Sequence, residues 1–127
     1  MDTARNAAPP GWRTVTPRIA VDNPRGLVDF LKYVLGASGE YETSPPSVVS
    51  IGDSRILIGD SEARGTQRAF LYVYVDDPDA AYLRAIEREA VSIEEPSDVP
   101  YGDRRCTIKD PWGNTWQIAS YRGSDAA

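Results

Sequence analysis

The chain has 127 residues, 41% hydrophobic and 26% charged, with a net charge of −5, no histidine and one cysteine. That length suits one domain with a core of its own and no disulfide. The acidic balance lacks the field a nucleic acid would need, and the missing histidine excludes Ser-His-Asp and Cys-His machinery and any His-ligated metal.

Residues 1–12 hold two prolines and no apolar run, so they are expected to form a flexible arm. With no signal-type apolar region, and no run near the roughly 20 residues that span a bilayer, no membrane association and a cytoplasmic location are expected. Residues 14–22, rich in Val, Thr and Ile, read as a strand. Pro24 then sits where a helix can open, because its missing N–H is not needed there. Leu27, Phe30, Leu31 and Val34 follow at helical spacing, and Gly36 ends the helix. Short strands are expected at 38–43, 47–51 and 55–59, with Gly52, Asp53 and Ser54 turning between the last two. The run from Phe70 to Val75 lies in the strongest strand of the chain, 69–76. Pro78 opens a second helix, with Ala81, Leu83, Ile86 and Ala90 along one side. Strands at 91–94, 104–109 and 115–120 follow, the last two joined by a turn at 110–114. Residues 123–127 are expected to fray.

Strand, helix and three strands thus occur twice. Val21-Asp22-Asn23-Pro24 and Val75-Asp76-Asp77-Pro78 stand 54 residues apart. Each joins a strand to a helix through a residue able to cap free backbone N–H groups. The expectation is an α+β fold: one domain, 13–122, built from βαβββ modules at about 13–62 and 68–122 that form a cupped mixed sheet. Each helix covers one sheet face only, which leaves the other face as a cup for a ligand.

Strand alternation assigns the side chains. Val15, Ile19, Val21, Leu71, Val73 and Val75 go to the helix side, with Cys106, Ile108, Trp116 and Ile118. Thr14, Thr16, Arg18, Ala20, Phe70, Tyr72, Tyr74, Arg105, Thr107, Thr115 and Gln117 go to the cup. Tyr101 lies just before one strand and Trp112 in the turn above. The expected ligand-binding set is Thr16, Arg18, Phe70, Tyr72, Tyr74, Tyr101, Arg105, Thr107, Trp112 and Gln117, which suits an aromatic or polyfunctional organic ligand. Cys106 is read as a small buried residue.

The stretch Tyr101-Gly102-Asp103-Arg104, then Ile108-Lys109-Asp110-Pro111-Trp112-Gly113-Asn114, then Trp116, with the Phe70–Val75 run before Asp76, resembles the vicinal oxygen chelate superfamily. That superfamily includes glyoxalase I, extradiol dioxygenases and bleomycin-resistance proteins; the ending looks most like the bleomycin-resistance or PhnB-like branch. The resemblance covers about residues 15–120 and implies paired βαβββ modules. It also implies four metal-ligand positions on the cup strands, which fall near Thr16, on Ile56 or Ile58, on Phe70 and on Gln117. No strong metal ligand stands there, so no cofactor or metal is expected. The bleomycin-resistance branch implies a homodimer that sequesters an antibiotic or toxic metabolite.

The reading therefore favours a metal-free small-molecule binder over an enzyme. The alternative is a superfamily lyase, isomerase or epimerase, using Tyr72, Tyr74, Arg18 or Glu42 for proton transfer. Asp60, Glu62, Glu94 and Glu95 are read as solvated surface rather than paired catalytic carboxylates. A regulatory partner domain is the third class, with only the N-terminal arm to suggest it.

Overall fold

Asn23 and Pro24 set the first helix. The Asn23 side chain accepts a hydrogen bond from the Gly26 N–H, and Pro24 occupies the first turn, where no donor is needed. In the computed structural model, which describes residues 7–44 and 46–123, this helix is α1, Pro24–Leu35. Gly36, at φ 68°, ends it in the left-handed conformation. Leu27, Val28, Phe30, Leu31 and Val34 are buried, each contributing about 1.5–3 kcal/mol of apolar burial.

The remaining elements are β1 (Arg18–Val21), β2 (Ser47–Ile51), β3 (Ser54–Asp60), the single turn α2 (Ser61–Arg64), β4 (Phe70–Tyr74), α3 (Pro78–Glu87), β5 (Val91–Asp98), β6 (Asp103–Lys109) and β7 (Thr115–Tyr121). They build two sheets, ordered β1-β3-β2 and β4-β7-β6-β5. In each, the first strand runs parallel to the last and the other pairings are antiparallel. The mixed α+β architecture agrees with the sequence, and the order β1-β3-β2 recurs in β4-β7-β6, with one strand fewer in the first half than expected. Both helices lie on one side and touch: Arg84 of α3 donates to the carbonyls of Tyr33 and Val34, and Tyr33 donates to Glu87. One apolar core runs beneath them, from Ile19, Val21, Ile56 and Ile58 to Cys106, Ile108, Trp116 and Ile118.

Several expected elements differ. The first strand begins at Arg18 rather than residue 14, because Pro17 brings no N–H to a ladder. Val15 consequently stands 77% exposed instead of packing on the helix. The expected strand at 38–43 is reduced to one bridge, Ser38 with Ser50. Gly39 there, at φ 121°, lies so close to β2 that a Cβ would sit 2.4 Å from the Val48 carbonyl oxygen. β5 runs to Asp98, past the expected end at 94, and α2 was not expected. In α3 the buried residues are Pro78, Ala81 and Ala85, while Leu83 and Ile86 face outward. Small alanines one turn apart let that helix sit close to its sheet. Of the expected arm, residues 1–6 lie outside the described residues. Trp12 donates its N–H to the Pro9 carbonyl and packs its ring on Arg55. Residues 124–127 of the expected tail also lie outside the described residues. Among the described residues, no helix is long and apolar enough to cross a membrane.

The motif around Asp110 holds the second sheet's turn. The Asp110 carboxylate is buried and accepts from the N–H groups of Trp112 and Asn114, the Asn114 amide and the Trp116 indole N–H, at 2.8 to 3.3 Å. Asn114 in turn accepts the Ala69 N–H at 2.9 Å, which fixes where β4 begins.

Candidate functional site

On the second sheet, the face away from α3 gathers a cluster of tyrosines. Tyr72 and Tyr74 project from β4 on the same side, with ring centroids 5.4 Å apart. Both hydroxyls donate to one buried oxygen, Oδ2 of Asp103, at 2.6 and 2.9 Å. The Tyr101 and Tyr72 hydroxyls are 3.3 Å apart, and Arg105 donates to the Tyr101 hydroxyl at 2.8 Å. The other end of Arg105 meets Glu94 of β5 at 3.3 Å, and Glu94 also accepts the Thr107 hydroxyl. Gln117 sits between Tyr72 and Thr107 in the ladder.

The electrostatics are those of fixed donors. Burial, then the bond to Asp103, raises the Tyr72 pKa far above the ordinary phenol value, and the same carboxylate raises that of Tyr74. Both remain neutral phenols. The Thr107 hydroxyl and then Arg105 hold Glu94 below its usual value, so it stays a carboxylate. Burial pushes the Cys106 thiol, on the opposite face, up to about 11, which makes it a packing residue rather than a nucleophile.

A cleft of about 600 Å³ adjoins this network at the seam between the modules. Among the described residues, one bridge there, Ala20 with Gln67, ties β1 to the segment that leads into β4, through bonds of 3.0 and 2.9 Å. Beyond it, residues 13–17 and β4 separate, and the cleft opens between them. Val15, Pro17, Ile51, Ile56, Leu71, Val73 and Trp116 give it an apolar lining, and Tyr72 and Tyr74 bound it. The Arg13–Asp53 ion pair, at 2.8 Å, ties the chain to the β2–β3 turn on the far wall.

Five of the expected site residues are thus hydrogen-bonded into this region: Tyr72, Tyr74, Tyr101, Arg105 and Thr107, with Gln117 beside them. Phe70 opens the same strand and stays 69% exposed. Thr16 is half-buried ahead of β1. Arg18 faces a different cleft, beside α2. Trp112 does not join the tyrosines: its ring meets Phe30 of α1 edge-on at 6.0 Å and crowds Gly26. The turn sits over the helix, so its ring is used in packing. Asp103, which the sequence presents only as part of the Tyr101–Arg104 motif and not among the expected site residues, is the acceptor that organises the site. Glu94, read as solvated surface, is instead tied to Thr107 and Arg105.

The resemblance implies metal-ligand positions, and the residues do not fit a metal. Ile56 and Ile58 point into the core under α1, so the cup-facing residue of β3 opposite Arg18 is Leu57. With Thr16, Phe70 and Gln117 it offers one hydroxyl and one amide, too little to offset desolvation of a divalent ion. Among the described residues no three His, Cys, Asp or Glu side chains group in a way that could hold a metal ion.

A family model described as Glyoxalase/Bleomycin resistance protein/Dioxygenase superfamily matches residues 13–118. Among solved structures, TioX from Micromonospora sp. ML1 is similar at 20% identity and TM-score 0.70, over 85% of this chain and 95% of that one. A glyoxalase/bleomycin resistance protein/dioxygenase family enzyme from Burkholderia phytofirmans PsJN is similar at 20% identity and TM-score 0.70, over 82% and 94%. A superfamily member from Sphaerobacter thermophilus DSM 20745 is similar at 19% identity and TM-score 0.66, over 85% and 98%. These identities speak to the fold. No curated protein sequence matched the chain.

Proposed function

The chain belongs to the Glyoxalase/Bleomycin resistance protein/Dioxygenase superfamily, and from that membership we propose that it is a metal-free protein that binds and sequesters a small organic molecule, an antibiotic or a toxic metabolite. One observation carries the reading: an apolar cleft at the module seam is bounded by two phenols fixed on a buried carboxylate. A flat, partly aromatic ligand would bury its body against Val15, Leu71 and Val73, at about 25 cal/mol per Å² of apolar area. Stacking on a tyrosine ring adds about 0.5–1.5 kcal/mol. The network needs no reorganisation on binding, which lowers the entropy lost.

The same geometry favours binding over catalysis. A phenol kept neutral by a carboxylate is a hydrogen-bond donor, and a poor base at neutral pH. Glu42 lies in the loop before β2, where its backbone N–H bonds to Ser47 Oγ, and it takes no part in the network. A homodimer belongs to this proposal, with exposed Phe70 and Tyr74 on the outer strand β4 as its contact. Light scattering reads the mass.

The test is a titration of an antibiotic panel followed by calorimetry and by emission of Trp116, which lines the cleft. At least one compound binds to the wild type and is lost in Leu71→Glu, while the recovered compound is chemically unchanged. Turnover of the compound, or activity that requires a stoichiometric metal, overturns the proposal.

A further inference from the structure

The first sheet also has a face away from its helix, and its chemistry is different. There β1, β3 and α2 border a cleft of about 720 Å³ that shares no lining residue with the seam cleft. This is within the size range of small-molecule sites. Its floor is bare: Ala20 and Gly59 face each other in the ladder, and Ala63 closes one side. Gly59 is not required there by the backbone. Its φ is not positive, and a Cβ would meet nothing closer than the Ile19 carbonyl oxygen at 4.0 Å. The missing side chain leaves room.

Arg18 and Arg64 line this cleft. Elsewhere among the described residues the arginines are engaged. Arg13, Arg104 and Arg105 pair with carboxylates, Arg25, Arg55 and Arg88 lie over aromatic rings, and Arg68, Arg84 and Arg122 bond to oxygen acceptors. Among the described residues, Arg18 and Arg64 have no such partner, in a chain whose net charge is −5. Asp60, the acid in the same lining, has its Oδ1 turned to the Glu62 N–H at 2.9 Å. Two uncommitted arginines lining a cleft with a bare floor match an acidic group on an apolar body, since each guanidinium presents paired donors to a carboxylate-like oxyanion.

We propose that this cleft is a second binding site, selective for organic anions. The site stands independently of the seam cleft. Its test compares two fluorescent probes of similar body, the sulfonate 1-anilinonaphthalene-8-sulfonate and the neutral N-phenyl-1-naphthylamine, titrated into the full chain. The expected result is that Arg18→Gln/Arg64→Gln weakens the sulfonate about tenfold or more and leaves the neutral probe unchanged. Gly59→Val, which fills the floor at a strand position suited to it, abolishes sulfonate binding while thermal stability is kept. Added salt weakens the sulfonate alone. Leu71→Glu, in the seam, leaves sulfonate binding intact. Sulfonate affinity indifferent to the arginine pair or to Gly59→Val, or lost in Leu71→Glu, overturns this site and leaves the seam reading untouched. Equal loss of both probes in the arginine variant overturns it as well.

Discussion

The three-stranded order of the first sheet recurs in the second, which adds β5 at its edge, and the two differ in what their open faces carry. On the second, Asp103 gathers Tyr72 and Tyr74, while Arg105 is held between Tyr101 and Glu94. On the first, Ala20 and Gly59 leave the corresponding surface bare, and Arg18 and Arg64 beside it are unengaged. The register that makes the backbone therefore does not dictate the chemistry. The helix faces must fill one core and are constrained alike; the open faces meet solvent or ligand and can diverge. The second face is already organised before anything binds, whereas the first is specified mainly by the space it leaves.

This contrast breaks most severely where the second module's turn is held. Asp110→Ala strands the buried donors of Trp112, Asn114 and Trp116 and is expected to lose about 3–5 kcal/mol, read as a fall in the urea midpoint. Asp103→Ala removes the shared acceptor and is expected to lose about 2 kcal/mol. It also brings Tyr72 and Tyr74 back toward ordinary titration, followed at 295 nm, while Tyr33, raised by its bond to Glu87, still titrates late. In the wild type these phenols have raised folded values. Their contribution is therefore complete below the unfolded value of about 10 and is lost as pH rises beyond it. Guanidinium melts at increasing alkaline pH measure that decline, and Asp103→Ala flattens it.

Smaller effects sharpen the comparison within the first module. Gly39→Ala places a methyl against the Val48 carbonyl at positive φ and is expected to lose about 1–3 kcal/mol. Gly59→Ala, in an open strand position, is expected to stay within about 0.5 kcal/mol of the wild type. Thermal melts of the pair separate a glycine needed by the backbone from one that keeps a cleft open.

Periodicity made much of this legible. Leu27, Phe30, Leu31 and Val34 announced α1, and the two strand–cap–proline joints announced the repeat. What escaped has local causes. Pro17 shortened β1, and Gly39 replaced a strand with a close crossing. Leu83 and Ile86 look like a helix's inner face, yet Ala81 and Ala85 occupy it because the sheet is too near for larger groups. The site was half visible: alternation put Tyr72, Tyr74, Arg105 and Thr107 on one face. It could not show that Asp103 and Glu94 would be drawn in to satisfy them, since that depends on partners from β4, β5 and β6 meeting. Trp112 was misleading for a similar reason, because only the packed helix shows where a turn residue's ring goes.

The outer strand β5 pairs with β6 through two register shifts and contains Pro96. A proline has no N–H to offer, and each shift puts neighbouring carbonyls and amides out of step. A stray chain laid along that border would find no regular ladder to copy, so fibre growth is stopped on that side, and copies of this protein that meet must do so at other surfaces.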